Sequence, residues 1–153
     1  MIYKIITVII VAAAPLTELR GAIPVGINLF KLDPLFVVIL SVVGNLLPAL
    51  AISFFLDPLI GFFSRKIPAF HRFLLKHLET ARVKIKKAVL KYGFVGLVVF
   101  VAIPLPLFGV YTGVAGAVLL GMPRRRLIFA SAIGVIFAAA IVYATDALIL
   151  KLF

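Results

Sequence analysis

Glu18 and Arg20 stand two residues apart in an otherwise uncharged stretch, Glu18-Leu19-Arg20-Gly21-Ala22-Ile23-Pro24. An ionised side chain at bilayer depth costs roughly 2.5–3.5 kcal/mol on insertion scales, so such groups face the protein interior and pair. Residues two apart project to the same side of an extended segment but to different faces of a helix. Pro15, Gly21 and Pro24 around them predict a non-helical segment. There Glu18 would bind and release a proton or cation, while Arg20 would hold an anionic group such as phosphate. A self-neutralising structural pair near the interface is the other reading of the same residues.

Three further polar groups lie in apolar surroundings. Asn45 occurs in Gly44-Asn45-Leu46-Leu47-Pro48, where Pro48 would interrupt a helix and free the Gly44 carbonyl. Tyr111 and Thr112 follow a second proline break, Ile103-Pro104-Leu105-Pro106, and offer hydroxyls to line a site or to bond between helices. Asp57 and Asp146 lie near the ends of apolar runs and read as solvated. The chain has no Cys and only two His, His71 and His77, both in a basic segment. That excludes disulfide frameworks, Cys-ligated zinc and thiol catalysis, and makes a His-built metal site improbable. There is no nucleophile beside a base, no carboxylate pair and no phosphate-cradling glycine loop. We therefore expect neither an enzyme nor a cofactor.

The elements that must position these residues follow from hydropathy. Hydrophobic residues make up 65% of the 153, and the mean hydropathy is +1.29. A soluble fold of this length could not bury so much apolar surface, which points to lipid as the solvent. Nine of the 16 Lys and Arg fall between Arg65 and Lys91, and three more are Arg124, Arg125 and Arg126. Because these clusters flank apolar runs, they read as membrane topology rather than nucleic-acid binding.

Four stretches lack charge: Ile5–Thr17, Pro34–Leu56, Tyr92–Pro123 and Leu127–Thr145. About 20 helical residues cross the hydrocarbon core, so the second and fourth read as ordinary spans. Tyr92–Pro123 would reach about 48 Å as a straight helix, against a core of about 30 Å. Pro104 and Pro106 should break it. If it crossed once, the two basic clusters would lie on opposite sides. A re-entrant hairpin leaves both on the cytoplasmic side, as the positive-inside rule favours. Ile5–Ala14 is likewise too short to span and ends at Pro15. A signal peptide is the alternative there, but Lys4 alone is a thin n-region and Pro15 a poor first mature residue.

The two halves correspond. Pro15 precedes Pro34 by 19 residues and Pro104 precedes Pro123 by 19, and each second proline opens a run with Ser and Gly, Ser41 and Gly44 or Ser131 and Gly134. Inverted repeats with broken helices meeting at the midplane are a transporter architecture. Between the halves, Phe70, Leu74, Leu78, Ala81, Ile85 and Ala88 recur at helical spacing with basic residues around them. This predicts an amphipathic helix on the inner leaflet.

The Glu18–Pro24 motif, with Gly44–Pro48 and Ala102–Pro106 followed by Tyr111-Thr112-Gly113, resembles the small multidrug export family from about Ala14 to Val142. That family is more distantly similar to the DedA (VTT-domain) superfamily. The resemblance implies two re-entrant hairpins facing each other across the bilayer, and movement of lipids, including polyprenyl phosphates, with proton coupling. Glu18 matches the acidic position of the first hairpin in DedA proteins. Their arginines around the second break have no counterpart in Ile103–Gly113, which leaves Arg20 as the phosphate ligand. Gly121-Met122-Pro123-Arg124-Arg125-Arg126 resembles the stretch leading into the last DedA helix, with its arginines at headgroup level.

We therefore expect an all-α integral membrane protein of two inverted repeats. Residues 1–32 and 92–122 would be the hairpins, 34–56 and 127–150 the spans, and 64–91 a cytoplasmic amphipathic helix. The site would comprise Glu18, Arg20, Asn45, Tyr111 and Thr112, lined by the breaks at Pro15, Pro24, Pro104 and Pro106. The expected function is proton-coupled flipping of an amphiphilic anion, a lipid phosphate, by a homodimer in the cell membrane. A proton-coupled exporter of cationic drugs and a non-transporting scaffold are the alternatives. No nucleic acid is expected as a partner.

Overall fold

A computed structural model describes residues 1–104 and 109–152, except the side chains of residues 63, 64, 68–71 and 74. The expectation at Pro106 lies outside the described residues, as do the side chains of Phe70 and Leu74. The regular elements among the described residues are all helices, without strands: α1 Ile2–Ala13, α2 Glu18–Pro24 with a π-helical turn Val25–Leu29, α3 Pro34–Lys66, α4 Pro68–Ala102, α5 Val110–Leu119 and α6 Arg124–Leu152.

The first two helices form a hairpin. A residue before proline avoids the helical region, and Ala14 accordingly leaves α1 with φ −85° and ψ 136°. The 12 residues of α1 measure about 18 Å, too short to cross a bilayer core. The chain turns through Ala14–Thr17 and runs back beside α1. At the open end, Lys4 Nζ donates to the Phe30 carbonyl at 3.0 Å and the Tyr3 ring meets Phe30 edge-on. Glu18, with φ 47°, opens α2 and Arg20 lies within it, which corrects the expectation of a non-helical, extended segment here. Pro24 does not end α2 either: the chain continues as a π turn, whose wider winding accommodates the missing N–H.

The two segments long and apolar enough to cross a membrane are Pro34–Phe62 of α3 and Arg124–Leu152, which is α6. They correspond to the spans read from charge-free length. Contrary to expectation, Pro48 does not interrupt α3, which continues through both Pro48 and Pro58. Proline is tolerated in apolar helices where neighbours compensate the lost bond. α3 and α6 run antiparallel: Arg124 at the start of α6 lies 4.0 Å from Asp57 late in α3, while Pro34 shares a groove with Tyr143.

α4 is two helices merged across a bend. Gly93 takes φ 55° and ψ −121°, left-handed backbone open mainly to glycine. The bend leaves a basic arm up to 92 and a short apolar arm to Ala102. Three residues of the stripe on the basic arm pack against protein. Leu78, Ala81 and Ile85 are buried, with Leu78 and Ala81 against Leu56 of α3 and Ala115 of α5, and with Gly116 of α5 against Ala81 and Ile85. Protein packing takes that surface because small residues at Ala115, Gly116 and Ala117 let α5 approach closely. The short arm, α5 and α6 contribute Leu97, Phe100, Val101, Val110, Val114, Leu127 and Val135 to the main core. A smaller core under α1 and α2 is built on Val8, Ala12, Ala22 and Val37.

Candidate functional site

The end of α1 and the start of α5 meet within the fold. The last carbonyls of a helix have no partner within it, and those of α1 end inside the protein. Three of the last four receive a side chain: Thr17 Oγ1 donates to Val11 O at 2.6 Å, Asn45 Nδ2 to Ala12 O at 3.2 Å, and the Tyr111 hydroxyl to Ala13 O. Asn45 comes from α3 and Tyr111 from the first turn of α5, so the first break is closed by residues of both halves. Asn45 is 1% exposed, and its amide is committed to this cap.

Glu18, the first residue of α2, is buried with φ 47°. Its carboxylate lies against Gly109, at the start of α5, and the N-termini of α2 and α5 carry positive partial charge toward it. Among the described residues neither carboxylate oxygen has a hydrogen bond. This side of the site can hold a cation or a proton.

Arg20 lies elsewhere. Glu18 and Arg20 form no ion pair within 4.0 Å, and the cavity that Arg20 lines does not include Glu18. Arg20 instead lines a cavity of about 290 Å³ with Pro24, Pro104, Val142, Thr145, Asp146 and Ile149. Its Nε is buried without an acceptor among the described residues. Asp146 on α6 is half-buried rather than solvated, and accepts a hydrogen bond from Asn28 Nδ2 at 2.9 Å. The structure therefore divides the expected site in two. Glu18, Asn45 and Tyr111 gather at the helix breaks, while Arg20 joins Pro24 and Pro104 in the cavity. Thr112 is half-buried and makes no side-chain hydrogen bond among the described residues, and Pro15 is exposed in the first turn. Arg124, Arg125 and Arg126 are exposed at the start of α6, with Arg124 over the Phe54 ring.

Sequence reasoning passed over Asp146, Asn28 and Gly109. Asn28 carried a signal, since an Asn in an apolar run needs a partner whether at position 45 or 28. Asp146 ended a charge-free run of adequate length and was placed at the membrane surface, but α6 continues six residues beyond it.

Residues 18–141 match the family described as "Putative small multi-drug export protein", a span that opens on the buried Glu18 and closes within α6. Comparison with curated proteins and with solved structures returned no match. With most of its length in that match and two helices apolar enough to span a bilayer, the chain belongs to the small multi-drug export protein family and is an all-helical membrane protein.

Proposed function

We propose that the chain is a secondary transporter that carries an amphiphile with an anionic group, coupled to protons through Glu18. The observation that carries this reading is the contact between the two breaks: Tyr111 caps Ala13, and Glu18 abuts Gly109. Broken helices whose ends meet inside the bilayer build the binding sites of many secondary transporters.

Packing supports an inverted repeat. A Cβ on Gly44 would meet the Ile9 carbonyl oxygen at 2.8 Å and Ala12 Cβ at 2.9 Å; one on Gly134 would meet the Val98 carbonyl oxygen at 2.9 Å and Val101 Cβ at 2.7 Å. Ile9 and Ala12 precede Val98 and Val101 by 89 residues, as Pro15 precedes Pro104 and Pro34 precedes Pro123. In each half the span thus presses a glycine onto the same two positions of the hairpin's first arm. Asn28, near the open end of the first hairpin, bonds to Asp146 late in α6, whereas the second hairpin returns directly into the start of α6. On this reading the hairpins are re-entrant from opposite faces, with the basic segment 65–91 cytoplasmic in a cell membrane. Two spans make a thin wall, which favours a homodimer.

Arg20 would be the anion ligand, since a guanidinium with a buried, unpartnered Nε matches phosphate or carboxylate oxygens. Glu18 would exchange protons as the ends of α2 and α5 separate. The substrate is then a lipid phosphate or similar amphiphile. Export of cationic drugs with Glu18 as counter-ion is the second reading, favoured by the family description.

The test is transport in liposomes, following exposure of a labelled polyprenyl phosphate on the opposite leaflet. Wild type should move the lipid, Arg20→Ala should slow it about tenfold or more, and Glu18→Gln should remove acceleration by a pH gradient. If wild type moves no lipid phosphate but takes up a cationic dye under a pH gradient, the exporter reading replaces this one.

A further inference from the structure

The Arg20 cavity carries two opposite charges that do not pair. Arg20 and Asp146 line the same cavity of about 290 Å³, yet no ion pair within 4.0 Å joins them. Arg20 Nε has no acceptor among the described residues. Asp146 is held by Asn28, a neutral amide that orients the carboxylate through Oδ1 without cancelling its charge. A purely anionic ligand would meet repulsion from Asp146, and a purely cationic one repulsion from Arg20. A ligand bearing both charges satisfies both walls.

We propose that this cavity takes the head of a zwitterionic amphiphile, its anionic group on Arg20 and its cationic group on Asp146. The proposal rests on Arg20 as anion ligand and adds Asp146 and Asn28 as the residues that select a second, positive charge. Size agrees, because such a volume lies at the lower end of small-molecule sites and admits a headgroup rather than a whole lipid. The remaining walls agree too. Pro24, Pro104, Val142 and Ile149 are apolar, and Ile149 is 52% exposed, so a hydrocarbon chain has an apolar way out beside α6. The π-helical turn contributes by winding Asn28 toward α6, a position that π turns often serve at functional sites.

The experiment measures binding rather than transport, so that the two readings fail separately. Purified protein in maltoside micelles is dialysed against three labelled probes with one dodecyl chain: dodecylphosphocholine, dodecyl phosphate and dodecyltrimethylammonium. Wild type should bind the zwitterion about tenfold or more tightly than either singly charged probe. Asp146→Asn should reduce the zwitterion to the affinity of the alkyl phosphate without weakening the latter. Asp146→Glu, which keeps the charge, should retain the preference and guards against a folding defect. Arg20→Gln should leave only the affinity of the ammonium probe. Phosphocholine without a chain distinguishes sources: competition equal to that of the full probe assigns a soluble zwitterion, and failure to compete assigns a lipid. Equal binding of zwitterion and alkyl phosphate by wild type, or unchanged preference in Asp146→Asn, overturns the proposal and leaves Asp146 as a packing partner of Asn28. Zwitterion binding without liposome transport of a labelled phosphocholine lipid, a polyprenyl phosphate or a cationic dye would overturn the transporter reading instead.

Discussion

The Glu18 carboxylate and the Gly109 backbone touch across the two halves of the chain: a Cβ on Gly109 would lie 2.6 Å from Glu18 Oε2 and 2.9 Å from Oε1. Gly109 also has φ 132°, where other residues are strained. Gly109→Ala therefore combines backbone strain with a clash against a buried carboxylate, and should destabilise by about 2–4 kcal/mol. Thermal unfolding in detergent reads this out. Adding Glu18→Ala should restore the steric share but not the strain, so the double mutant should be more stable than the sum of the singles. Strict additivity would mean that the two residues do not touch.

The caps on α1 make a second, graded prediction. Tyr111→Phe removes the donor to Ala13 O, and Asn45→Leu removes that to Ala12 O. A buried carbonyl left without a donor costs about 1–3 kcal/mol in water-soluble proteins, while interhelical bonds in membranes average about 0.6 kcal/mol. Tyr111→Phe should therefore lower stability by about 1 kcal/mol, and Asn45→Leu by somewhat more, because Asn45 is 1% exposed and no water replaces it. Unfolding in a mild detergent series measures both. No loss in either variant would show that the end of α1 is hydrated.

Gly44 and Gly134 should behave alike if the halves pack alike. An alanine at either meets a carbonyl oxygen and a Cβ at 2.7–2.9 Å, so each should cost about 1–3 kcal/mol. Gly61→Ala is the internal control, since a Cβ there meets nothing within 4 Å and helix propensity favours alanine by about 1 kcal/mol. Matched losses at 44 and 134 with a neutral or positive change at 61 are the expected pattern in thermal melts. A loss at only one of the pair would argue against equivalent halves.

Much of the architecture was legible because it follows from length and charge. Pro34 and Arg124 begin the two long apolar helices, and stretches free of charge announce both. The placement of Glu18 and Arg20 was not legible. Gly21 and Pro24 argued for extended backbone, yet α2 forms, with Leu19, Ala22 and Ile23 buried against neighbouring helices. Tertiary burial overrides local propensity here, and Arg20 lines a cavity that Glu18 does not. Gly93 was also silent, since a glycine inside a helical pattern carries no stop signal until its φ is known. Asn28 and Asp146 meet across 118 residues through a π turn, a register that no periodicity encodes.

Topology yields the last prediction. The hairpin reading places the basic arm of α4 and the start of α6 on one side of the membrane, and the open end of the first hairpin on the other. The chain has no native Cys, so single cysteines report without background. Thr80→Cys, Arg125→Cys and Lys31→Cys all replace exposed residues. In right-side-out and inside-out vesicles, a membrane-impermeant maleimide should label positions 80 and 125 from the same face and position 31 from the opposite one. Positive-inside bias assigns the first face to the cytoplasm. If 125 and 80 label from opposite faces, residues 92–123 cross the membrane outright. The second break is then a kink within a span, and the pairing of hairpins that underlies the proposed transport site is lost.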